Sequence, residues 1–188
     1  MIPDPIPELT DAQRRLIVLV AGGATFTQIA ADPATWLQPA GVRDAIDAVL
    51  AATGTRTPAH LAAWATARRF VTEPVRPCGA LVAAPALARR HQQVLRGWAG
   101  GMTDHDLVAD FGVAWTTVRS YGKAVFAGLG VGCASQAVVV GVLAGLVLLS
   151  DIDSDWPAQA LAGTASSASG GPAAGRTDTA GAPALVQL

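Results

Sequence analysis

The chain has 188 residues, 51% of them hydrophobic and 14% charged, with a formal net charge of −1 and a mean hydropathy of +0.38. That much apolar surface can build a core and excludes disorder throughout, while the near-neutral balance excludes an overall electrostatic pull toward nucleic acid. The charge is unevenly spread, netting zero over residues 1–78, +2 over 79–150 and −3 over 151–188, so only the middle block has a basic bias.

The apolar residues are mostly Ala, Val and Leu, which suits helices packed closely through small side chains. Leu9-Thr10-Asp11 opens a first helix that Gly22-Gly23 stops. Thr25 caps a short second helix. Residues 32–38 then form a long turn holding Pro33 and Trp36, and Pro39 seeds a third helix running to about Thr53, before Gly54. A fourth helix is expected from Pro58 to about Val71, closing a first unit over residues 1–72. The prolines of Glu73-Pro74-Val75-Arg76-Pro77 then make a stiff linker over 73–84.

The plan repeats. Ala21-Gly22-Gly23-Ala24-Thr25 is echoed 78 residues later by Ala99-Gly100-Gly101-Met102-Thr103, with Leu16-Ile17 falling on Val94-Leu95 and Ile29-Ala30 on Leu107-Val108. The second unit, 85–150, reads as a helix from Pro85 to Ala99 and a short helix from Asp104 to Phe111 capped by Thr103. A turn at Gly112 leads to a third helix from about Ala114 to Leu129. The fourth is apolar and starts at Ala134 or Ser135. Helix, turn, short helix, turn, longer helix is the helix-turn-helix pattern. The uncharged run Gln136–Leu149 is near the lower length limit for a membrane span, but its core of about fourteen residues reads better as a buried or dimer-forming helix. Beyond Ser150, Asp, Ser, Gly, Ala and Thr dominate, and residues 151–188 are expected to be a disordered, mildly acidic tail.

At these positions the chain resembles the LuxR-type (GerE-like) helix-turn-helix family. In the second unit the resemblance runs without a gap through Val94-Leu95, Ala99, Gly101, Thr103, Leu107-Val108, Thr117-Val118 and Leu129-Gly130-Val131. In the first it runs from Leu9 to Ala30, and then needs a two-residue insertion to bring Gly41-Val42 onto the family's Thr-Val. Two of the family's polar positions are changed: its glutamate is Gln28 or Asp106, and its turn lysine is Ala52 or Gly128. The resemblance implies an all-α protein of two tandem four-helix units that binds double-stranded DNA as a transcriptional regulator. Its principal reader would be the third helix of the second unit.

That helix would present Trp115, Thr116, Thr117, Arg119, Ser120 and Lys123 to the major groove, and Thr103, the cap of the helix before it, is expected as a further DNA-binding residue. Arg119 and Lys123, four apart, share a face, so Arg119 can pair bidentately with guanine while Lys123 neutralises a phosphate. Thr116 and Ser120 can donate to phosphates or base edges, Trp115 can stack or meet a thymine methyl, and Val118, Val125 and Phe111 should point inward. The first unit's third helix offers Arg43 beside Asp44 and Asp47, which phosphates repel, so packing against the second unit or binding a protein suits it better. The apolar fourth helix, 134–149, must be covered either by the first unit's fourth helix or by a second chain in a homodimer.

No enzymatic constellation emerges. Gly128-Leu129-Gly130-Val131-Gly132 follows a helix and lacks a phosphate-binding lysine, and His60, His91, His105 and the cysteines fit no metal spacing, so neither cofactor nor metal is expected. The alternative to DNA binding is a helix-turn-helix protein-interaction module, an anti-activator or a partner of a sigma factor or other regulator. Cys78 and Cys133 form no CxxC, and the N-terminus has no basic stretch followed by an apolar run, so a cytoplasmic location with reduced thiols is expected.

Overall fold

The computed structural model describes residues 7–72 and 86–161; the linker expected at 73–84 and most of the expected tail lie outside them. The architecture is all-α. The helices are α1 (Asp11–Ala21), α2 (Phe26–Ala31), α3 (Val42–Thr53), α4 (Pro58–Ala67), α5 (Arg89–Ala99), α6 (Asp104–Phe111), α7 (Trp115–Leu129), α8 (Ala134–Leu143) and α9 (Leu149–Ile152), with one 3₁₀ turn, Pro39–Gly41, leading into α3.

Local chemistry explains where they start and stop. Thr10, Thr25 and Thr103 each accept a hydrogen bond from the backbone N–H three residues on, while Gln13, Gln28 and Asp106 reach back to the cap's own N–H. Left-handed Gly54, Gly112 and Gly130 end α3, α6 and α7. Three ends differ from the sequence expectation. α5 begins at Arg89 rather than Pro85, with Ala88 extended before it. α4 stops at Ala67 because Arg69 turns left-handed (φ 62°) and the N–H of Phe70 folds back to the carbonyl of Ala65. α8 stops at Leu143 because Gly145 (φ 72°) turns the chain, so the apolar run is a ten-residue helix, a turn and then α9, not one long helix. Among the described residues no single helix is long and apolar enough to cross a membrane.

Equivalent apolar positions of the sequence repeat are buried in both halves. Leu16, Ile17 and Ile29 are buried in the first, and Val94, Leu95 and Leu107 in the second. Past the longer first turn the offset becomes 76, pairing buried Val42 with Val118, Val49 with Val125, and left-handed Gly54 with Gly130. One pair of positions exchanges volume: Val20 and Ile46 in the first half stand where Trp98 and Gly122 stand in the second. A Cβ at Gly122 would lie 3.2 Å from the Trp98 ring, so the missing side chain leaves the room that the indole fills. Trp98 also donates from Nε1 to Asp104 (2.9 Å), tying α5 to the start of α6.

The halves meet chiefly through α4 and α8, which pack on each other; Leu61 to Ala67 and Ala137 to Val142 are all buried. The exchange is reciprocal, since α4 also touches α5 while α8 touches α1. It is close at the two glycine turns. A Cβ at left-handed Gly23 would fall 2.7 Å from Cys133 Sγ and 3.0 Å from Gln136, and one at left-handed Gly101 would fall 2.7 Å from His60 Nδ1 and 3.2 Å from the Arg56 Cβ. His60 and Gln136 are equivalent at the 76-residue offset. Each accepts from the backbone N–H four residues earlier, Arg56 (3.2 Å) or Gly132 (2.9 Å). Through Nε2 each reaches a distant carbonyl, Ile152 at 3.0 Å or Gly22 at 2.7 Å. The repeated Gly-Gly therefore marks the place where each half receives the other's fourth helix.

One further expectation is corrected. The first part of the 151–188 segment is not a loose tail: Ile152 and Trp156 are each 4% exposed, Leu149 N–H donates to the Gln159 carbonyl (2.9 Å), and Arg96 pairs with Asp151 (3.4 Å). Apolar Ile152 and Trp156 outweigh the acidic composition around them; residues 162–188 are outside the described residues. The apolar surface of 134–149 is largely used inside the chain. Of the two covers considered for it, α4 is the one within the chain, and it packs along α8.

Candidate nucleic-acid interface

α7 has one buried side and one open side. Val118, Gly122, Val125 and Leu129 face the core, where α5 and α6 pack against them. The opposite side exposes Thr116, Arg119, Ser120 and Lys123, at the i, i+3, i+4, i+7 spacing of a single helical face. Trp115, at the start, is 47% exposed. Thr117 is half-buried at the flank, and Phe111 is half-buried too, packed against the core as expected. The Ser120 hydroxyl donates to the Thr116 carbonyl (3.0 Å) within the helix, leaving its lone pairs outward. Arg119 and Lys123 make no ion pair with any described residue, so two cationic side chains stand in water on a 15-residue rod about 22 Å long.

Thr103 is exposed, but its hydroxyl is committed to the cap of α6, accepting from the Asp106 N–H (3.2 Å) and donating to Asp106 Oδ2 (2.9 Å). The Thr103 backbone N–H and hydroxyl hold the Asp106 carboxyl below the usual carboxylate range. These bonds fix the start of α6, which packs against α7. Arg90 lies over the Phe111 ring (5.2 Å) and His91 tilts against Tyr121 (5.7 Å), fastening the start of α5 beside α6 and α7.

The corresponding face of α3 is chemically different. At the 76-residue offset Arg119 corresponds to Arg43, Ser120 to Asp44 and Lys123 to Asp47, all exposed in the first half. The Arg43 guanidinium lies 6.0 Å from the centre of the Phe26 ring. Phe26 is 47% exposed and Trp36 88% exposed, the latter left-handed at φ 55° in the long turn between α2 and α3. Sequence reasoning placed Trp36 in that turn but assigned it no role; a large aromatic in a Pro-flanked turn was the available signal.

Away from both faces, a cleft of about 880 Å³ lies between the end of α3, α4 and residues 150–156, lined by His60, Trp64, Arg68, Asp153 and Trp156. Arg68 stacks between the two indoles, 6.0 Å from Trp64 and 5.0 Å from Trp156. Burial pushes the His60 pKa below its usual 6.5, a shift that the hydrogen bond to Ile152 partly offsets. Among the described residues no three His, Cys, Asp or Glu side chains come together to hold a metal ion. Comparison with protein-family models, with curated proteins and with solved structures finds no match for the chain.

Proposed function

We propose that the chain is a cytoplasmic, non-enzymatic regulator of transcription that binds double-stranded DNA through α7, in the manner implied by its resemblance to LuxR-type helix-turn-helix proteins. The observation that carries this proposal is the unpaired cationic face of α7. A helix of this length fits the major groove, Arg119 is suited to the paired acceptors of guanine, and Lys123, one turn further, to a phosphate. Thr116 supplies a hydroxyl and Ser120 outward lone pairs without adding negative charge, and Trp115 supplies an apolar surface for a thymine methyl. No side chain on this face needs a cofactor to act.

Selection from pooled random duplexes at two salt concentrations tests this. The wild type is expected to enrich a motif. Arg119→Ala should relax preference at one base pair at a cost of about 1–3 kcal/mol. Lys123→Ala should weaken all sequences alike and reduce the salt slope by about 0.9. No enrichment at low salt would reject the proposal.

A second reading, a protein-interaction module that holds a sigma factor or another regulator, draws on the first half. Trp36 is held both exposed and left-handed, a conformation that costs about 1–2 kcal/mol for a non-glycine residue. Phe26, at the start of α2, is a second exposed aromatic of the first half. Retained DNA binding together with loss of a co-purifying partner in Trp36→Ala would assign the two activities to separate halves.

A further inference from the structure

The contacts between the halves are reciprocal, Gly23 meeting Gln136 and its equivalent Gly101 meeting His60, as across the interface of a two-fold dimer, and α3 and α7 are the equivalent helices of the two halves. Protein two-fold symmetry is mirrored in DNA as an inverted repeat, with half-sites about one helical turn apart. The two faces so related are not chemically equal. The conversion of Ser120 and Lys123 into Asp44 and Asp47 changes an open face bearing two cations into one bearing one cation and two carboxylates. Arg43, the remaining cation, is drawn over Phe26.

We propose that the chain binds duplex DNA as one molecule on one half-site, with the first half acting as a built-in partner that completes the fold and repels the second half-site. This rests on the reading of α7 as a DNA-binding helix. The surface through which two copies would join in parallel with the internal arrangement, the apolar side of α8, is already covered by α4. The target is therefore a non-palindromic sequence of about half the usual length, and specificity is set by Asp44 and Asp47 as much as by Arg119: their exposed carboxylates repel phosphates that approach the open face of α3.

The test is selection from random duplexes, followed by hydroxyl-radical footprinting and sedimentation of the complex, on the full-length wild type and on Asp44→Ser/Asp47→Lys. The wild type is expected to enrich one unrepeated motif at 1:1 stoichiometry. The double variant, whose changes are both at exposed positions, is expected to enrich the same motif as an inverted repeat, with protection longer by about one turn. A wild-type motif that is itself an inverted repeat, or two chains per site, overturns the half-site proposal while leaving α7 as the reader. No wild-type motif at all overturns the DNA-binding reading and this inference with it. A wild type confined to one half-site with a double variant unchanged from it overturns the role given to the two aspartates.

Discussion

Replacing Gly101 by Ala isolates the contact through which one half receives the other. Gly101 is left-handed (φ 82°), and the added Cβ would sit 2.7 Å from His60 Nδ1 and 3.2 Å from the Arg56 Cβ. The imidazole cannot swing away freely, since its two nitrogens are held by the Arg56 N–H and the Ile152 carbonyl. Left-handed strain on Ala costs about 1 kcal/mol and forcing a methyl into packed surroundings about 1–3 kcal/mol, for a total of about 2–4 kcal/mol. Gly112→Ala is the internal control: it too is left-handed (φ 62°) but would meet nothing within 4 Å, so only the strain of about 1 kcal/mol applies. Urea unfolding of the wild type and both variants measures the difference. If Gly101→Ala is no more destabilising than Gly112→Ala, α4 and the second half do not meet as described.

Other consequences are independent of that contact. Because burial lowers the pKa of His60, the unfolded chain binds its proton near 6.5 and the folded chain only below that, so stability should fall as pH drops from 6.5. His60→Gln, which copies Gln136 at the equivalent position, should keep both hydrogen bonds and flatten that limb in unfolding curves at pH 7.5 and 5.5; an unchanged limb would exclude His60 as its source. Trp156→Ala should destabilise by about 3–5 kcal/mol in the same assay, as for other buried tryptophans, whereas Trp36→Ala should change stability little; equal effects would contradict the packed placement of residues 151–161.

Much of this architecture could be read from the chain because its signals are local. Thr25 and Thr103 cap where capping residues must, Gly54 and Gly130 stop helices by adopting a conformation other residues avoid, and apolar pairs such as Leu16-Ile17 and Val94-Leu95 fall at helical spacing. The open face of α7 followed from the same periodicity. What stayed hidden was non-local. Whether the apolar α8 was covered by α4 or by another chain depends on packing that no window of sequence contains, and so does the part played by His60 and Gln136 in receiving the opposite glycine turns. Asp151, Asp153 and Asp155 suggested a solvated tail by composition. Ile152 among them and Trp156 just after them instead turn inward, a two-residue apolar signal too short to stand out against its neighbours.

The most direct test of the central claim, that α7 is the surface that meets DNA, is to map backbone amide shifts of the isotope-labelled protein as duplex is added. The perturbed amides are expected to cluster at Trp115 to Lys123 with a weaker effect near Thr103, leaving Arg43 to Asp47 unmoved. Perturbation centred on Phe26, Trp36 and α3 instead, or none at low salt, would contradict it.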